Sequence, residues 1–129
     1  SETLGAMVAS TTPSGYTYDR GGNRMLTWEG NALSLVWDDN ATLPFYAMSS
    51  ESVILKSPAV IRSAAFYPRR EAAIVAYANG IFVLELDGRG GHILSPIYKG
   101  KEPSFVLPES DGETLYILDD GILFSVKLF

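Results

Sequence analysis

The stretch Leu86-Asp87-Gly88-Arg89-Gly90-Gly91-His92 gathers three glycines, an arginine and the only histidine of the chain. Such a composition could cradle a phosphate, but a dinucleotide fingerprint needs G-x-G-x-x-G opening a helix whose N-terminal amides face the pyrophosphate. Here the third glycine position is Ile93, and His92-Ile93-Leu94-Ser95-Pro96-Ile97-Tyr98 reads as a strand. The loop is therefore expected to be a connection between strands, its glycines serving turn geometry. With one histidine, a histidine-pair metal site or a serine-histidine relay has a single candidate per chain, and no G-x-S-x-G elbow accompanies it. Asp38-Asp39, Asp111 and Asp119-Asp120 offer oxygens to a hard cation. All fall where turns are expected, without D-x-D-x-D spacing, so neither a metal nor a cofactor is expected. Trp28 and Trp37 each close a strand beside a turn, a position that suits either core packing or a platform for a sugar or peptide.

The elements that must position these residues emerge from internal repetition. Ala64 to Asp87 and Ser104 to Leu128 carry the same pattern. Phe66-Tyr67-Pro68 matches Val106-Leu107-Pro108, and Ile74-Val75-Ala76-Tyr77 matches Leu115-Tyr116-Ile117-Leu118. Asn79-Gly80 then matches Asp120-Gly121, at an offset of 41. An upstream copy runs through Tyr16-Thr17-Tyr18, Met25-Leu26-Thr27-Trp28 and Leu33-Ser34-Leu35-Val36-Trp37, with Gly30-Asn31 as its turn. The irregular segment Asp38 to Ser50 follows it. Asn-Gly, Asp-Gly and Gly-Asn between runs rich in Val, Ile, Tyr, Phe and Trp signal hairpins, and helical periodicity with caps is absent. A fourth strand is expected after each of the first two copies, at Ser52 to Pro58 and His92 to Tyr98; in both, Ile-Leu precedes a Ser-Pro pair.

Four short strands per unit, repeating every 40 to 45 residues or so, are the pattern of propeller blades. Tyr67-Pro68-Arg69-Arg70 followed by Ile81-Phe82-Val83-Leu84-Glu85-Leu86-Asp87-Gly88 resembles a TolB-like blade, and Leu35-Val36-Trp37-Asp38-Asp39-Asn40 resembles the third strand of a WD repeat. The expected fold is all-β, with three blade equivalents of four antiparallel strands at about 14–58, 62–98 and 103–129. The third copy stops after three strands, and the apolar run Thr3 to Ser10 is the candidate closing strand. Propellers typically have about 4 to 8 blades, so three need completion by a second chain or by the rest of a parent chain. In that frame Phe66, Tyr77, Phe82, Phe105, Tyr116 and Phe124 are expected to pack between blades. The opening Ser1-Glu2-Thr3-Leu4-Gly5-Ala6-Met7 reads as processing or a cloning scar.

Composition narrows the function classes. A net charge of −5 with scattered Lys and Arg argues against nonspecific nucleic-acid binding. The absence of cysteine removes disulfides and thiolate metal sites, and no apolar run is long enough to insert in a bilayer. The resemblance implies that contacts gather where fourth strands lead into first strands and second into third. This selects Asn31, Arg62, Asn79, Tyr98, Lys99, Lys101 and Asp120 with its neighbour Asp119, a mixed-charge surface suited to a protein or peptide, and Trp28, closing a strand beside its turn, joins them as a candidate. The expected function is a noncatalytic interaction scaffold that associates with itself. The alternatives are a carbohydrate-binding module displaying Trp28 or Trp37, and a glycan or peptide hydrolase or lyase built on channel carboxylates. By analogy with TolB-like repeats, a cell-envelope location is compatible with either.

Overall fold

The computed structural model describes residues 14–19, 23–37, 51–57, 59–68, 70–86 and 94–128. The candidate closing strand Thr3 to Ser10, the segment Asp38 to Ser50, Pro58 and the loop Asp87 to His92 lie outside them. Eleven strands and no helix make up the described chain. β1 (Gly15–Asp19), β2 (Arg24–Glu29), β3 (Ala32–Trp37) and β4 (Glu51–Lys56) form the first sheet. β5 (Ser63–Phe66), β6 (Ala72–Tyr77), β7 (Gly80–Glu85) and β8 (Leu94–Lys99) form the second. β9 (Pro103–Pro108), β10 (Thr114–Asp119) and β11 (Ile122–Lys127) form a three-stranded third sheet. Every pairing is antiparallel between strands consecutive in the chain.

The sheets stack in chain order. β5 lies against β1 and β2, and β9 lies against β5 and β6, so successive sheets meet through their first and second strands. The middle sheet is covered on both sides, and strand alternation divides its residues between two cores. Ala73, Val75, Tyr77 and Leu84 pack with Leu26, Trp28, Leu33, Leu35 and Trp37 of the first sheet. Ile74, Ala76, Ile81 and Val83 pack with Val106, Leu115 and Ile117 of the third. This double burial explains why β6, Ala-Ala-Ile-Val-Ala-Tyr, is a continuous apolar run. Ile74, Val75 and Ile81 are fully enclosed, each burial stabilising by about 1.5–3 kcal/mol. Arg24 ties the first two sheets together: its guanidinium reaches Asp19 at 2.9 Å and Glu71 at 2.6 Å, and stacks over Trp37 and Phe66.

Strand pairing corrects two of the sequence alignments. Glu29 pairs with Ala32, Tyr77 with Gly80 and Asp119 with Ile122 around their two-residue turns. Tyr77 therefore corresponds to Asp119, an offset of 42 in place of 41, and a one-residue slip moves every side chain to the opposite face. Asn79-Gly80 misleads because Gly80 is not a turn residue but the start of β7. A Cβ there would meet the Tyr98 carbonyl oxygen at 2.8 Å, so glycine serves the close approach of β8. Asp120 and Gly121, with φ of 52° and 78°, do form a turn of the expected left-handed kind.

The fourth strands correct in the same way. Lys56 pairs with Ala32 and Lys99 with Gly80; Leu55 pairs with Leu33 and Tyr98 with Ile81. A register shift then skips Ile54 and Ile97, after which Val53 meets Ser34 and Pro96 meets Phe82, and Ser52 meets Leu35 and Ser95 meets Val83. The shared pattern is Ser-x-Ile-(Leu/Tyr)-Lys, with a bulge at Ile, and not the Ile-Leu before Ser-Pro that the sequence suggested.

Each sheet thus has a front face, which in the second and third sheets meets the preceding sheet, and a back face, which in the first and second meets the following one. Among the described residues nothing covers the back face of the third sheet: Phe105, Leu107 and Leu123 are 49%, 54% and 68% exposed. Phe105 and Phe124, expected between blades, are both exposed. On the front of the first sheet Tyr16 and Tyr18 are 68% and 42% exposed, beside buried Thr27 and Val36.

Candidate functional site

Seven of the eight candidate residues lie in or beside the second-to-third-strand turns and the connections between sheets, at one end of the stack; Trp28, one pairing step from the first turn, is the eighth. Backbone hydrogen bonds lash these turns to the connections. Ser57 N–H donates to the Asn31 carbonyl at 2.9 Å, Ile61 N–H to that of Gly30 at 2.8 Å, and Gly100 N–H to that of Asn79 at 3.4 Å. The Asn31 side chain donates back to the Ser57 carbonyl at 2.8 Å, so its amide is engaged in holding the chain. Arg62 pairs with Glu102 across 3.2 Å, bridging the connections that enter the second and third sheets.

The densest part of this end is built around Asp119. Strand alternation in β10 sets Leu115, Ile117 and Asp119 on one face, the first two in the core and the carboxylate at its edge. Its Oδ1 accepts from Glu102 N–H at 2.7 Å. Its Oδ2 accepts from the Tyr98 hydroxyl at 2.7 Å and from Lys101 N–H at 3.3 Å. These donors, Glu102 N–H foremost, hold the Asp119 carboxyl below the ordinary carboxylate range, while its hydrogen bond with Asp119 pushes the Tyr98 phenol up. Asp111 is likewise held down, first by Glu113 N–H and then by Thr114, in the connection between β9 and β10. Both carboxylates thus hold backbone N–H groups of neighbouring connections and strands.

Beside Asp119 opens a cleft of about 420 Å³ between β8 and β11. Tyr98, Lys99 and Lys101 form one wall, Asp120 the rim, and Ile122 and Phe124 an apolar wall. Four of the candidates, Tyr98, Lys99, Lys101 and Asp120, thus come together. Asn79 joins Tyr98 and Lys99 around an adjoining hollow. Trp28 and Arg62 lie elsewhere, along a groove of about 490 Å³ lined by β1, β5 and β9. Trp28 and Trp37 are both buried, packed into the core between the first and second sheets, which removes them as an exposed sugar platform. No cluster of three or more His, Asp or Glu side chains that could hold a metal occurs among the described residues.

Two residues of this cleft, Ile122 and Phe124, lie outside the surface expected from sequence. Asp119, expected there as part of the Asp119-Asp120 turn, is turned inward by its alternation with Leu115 and Ile117. Ile122 and Phe124 belong to a third strand, and such strands are covered in the other two sheets; their exposure follows from β11 pairing, among the described residues, with β10 alone.

No protein-family model matches this chain, and comparison with curated proteins finds no significant match.

Proposed function

We propose that the chain is an array of β-propeller blades acting as a noncatalytic interaction scaffold, and that it works closed against a second copy of itself. The observation that carries this is the open back face of the third sheet. Its Tyr116, Leu118 and Leu123 occupy the positions of Ile74, Ala76 and Ile81 in the second sheet, where the following sheet buries them. The same interface geometry occurs twice inside the chain and, among the described residues, is unsatisfied a third time. Exposed apolar surface of this kind marks an association face. Tyr16 and Tyr18 on the front of the first sheet supply the complementary side, and two such contacts would close a six-bladed ring. Sheets that meet through their first strands, with a groove along β1, β5 and β9, support the blade reading.

Within that assembly the cleft at Tyr98, Lys99, Lys101 and Asp120 is the contact surface for a protein or peptide, because it combines apolar wall with charged rim. Burial of both tryptophans disfavours the carbohydrate-binding alternative. Light scattering tests the assembly: a mass twice the 14.0 kDa of one chain is expected, and a strict monomer would contradict it.

A further inference from the structure

We infer that the edge of β11 left unpaired among the described residues is a strand-acceptor site, and that its ligand is an extended peptide segment of pattern Ser-x-Ile-(Leu/Tyr)-Lys. The inference rests on the blade reading and adds to it the identity and register of the missing strand. β3 and β7 each carry a fourth strand of this pattern, in the same register and with the same bulged isoleucine. β11 occupies the same place in the third sheet, between its turn to β10 and an edge that no described residue pairs. Edge strands present a row of backbone donors and acceptors, and one as apolar as Ile122-Leu123-Phe124 is a template for strand addition.

Transferring the register sets Ile122 opposite the lysine, Leu123 opposite the Leu/Tyr position, Phe124 opposite x and Ser125 opposite the serine. The skipped isoleucine then turns onto the back face. That is what Ile54 does in the first sheet, where it joins the core, and Ile97 in the second, where it packs against the core. In the third sheet this isoleucine would cover the exposed Leu123. The apolar run Thr3 to Ser10, the closing strand suggested by sequence, contains no Ser-x-Ile-(Leu/Tyr)-Lys.

The test titrates the isotopically labelled full chain with the synthetic peptide Glu-Ser-Val-Ile-Leu-Lys-Ser. Saturable shifts of the β11 amides are expected, with slowed exchange at alternate positions. A peptide with aspartate in place of isoleucine should bind about tenfold or more weakly, a difference of 1.4 kcal/mol or greater. Because the chain has no cysteine, register is read by cross-linking. Ser125→Cys should form a disulfide with a peptide bearing cysteine at its first serine, in preference to one bearing it at the lysine. Absence of β11 shifts, whether the chain is monomeric or assembled, or cross-linking indifferent to position, would overturn the proposal. Light scattering separates the two readings: doubled mass without peptide binding removes only this inference, whereas peptide binding to a strict monomer removes only the ring.

Discussion

Tyr98, on the outermost strand of the second sheet, donates its hydroxyl proton to Asp119 of the third across 2.7 Å. The same carboxylate holds the N–H groups of Lys101 and Glu102, so one side chain fastens two sheets and the connection between them. Asp119 binds its proton less readily in the folded chain than in the unfolded one, by direction of its shift. Its contribution to stability is therefore complete above the ordinary carboxylate range and lost as pH falls through the lowered folded value. The Tyr98 shift runs upward, so its contribution is complete below the ordinary phenol value and lost as pH rises through the folded one. The fastening should hold between those limits. Asp119→Asn should speed amide exchange at Lys101 and Glu102 and return the Tyr98 pKa toward its ordinary value, measured by NMR titration of the ring. Unchanged exchange would remove Asp119 from this role.

Arg24 is the corresponding tie between the first and second sheets. Its side chain is buried while Asp19 and Glu71 are partly solvated, so the cost of cutting it falls at the low end for buried charge pairs. Arg24→Ala should lower unfolding free energy by about 2–3 kcal/mol, read by urea denaturation. Lysine should restore little, because it cannot engage two carboxylates as a planar fork while stacking on Trp37 and Phe66.

Gly80 tests the corrected register. A methyl group there meets a backbone carbonyl that cannot swing away, so Gly80→Ala should destabilise by about 1–3 kcal/mol or displace β8. If Gly80 were a turn residue on a free loop, the effect would be smaller and the amides of β8 undisturbed.

Leu107 lies in the middle of the uncovered back face without being part of either core. Leu107→Asp should keep the circular dichroism of the native chain while reducing its mass to that of one copy, since a charge buried at an apolar interface is heavily penalised. Loss of folding would show instead that Leu107 supports the isolated chain.

Much of this fold was legible in the residues. Apolar runs separated by Gly-Asn, Asn-Gly and Asp-Gly marked the eleven described strands and their grouping, while the further strand expected at Thr3 to Ser10 lies outside the described residues. Register was less legible. Asn79-Gly80 and Asp120-Gly121 look alike as dipeptides, yet one glycine is there for a turn and the other for a strand packed against it. Ser-Pro was the conspicuous feature of both fourth strands, whereas pairing is organised by a bulged isoleucine that nothing in the local sequence singles out. At the cleft, Tyr98, Lys99, Lys101 and Asp120 could be selected because connections between sheets were predictable from the repeat. Trp28 was selected for its place beside a turn, but cross-strand pairing with Gly15 and burial in the core decide its role.

The central claim is that the back face of the third sheet completes itself on another copy. Light scattering of the wild-type chain across a dilution series tests it most directly. A mass twice that of one 14.0 kDa chain, falling to one chain in Leu107→Asp, is the predicted result; a monomer at every concentration would contradict it.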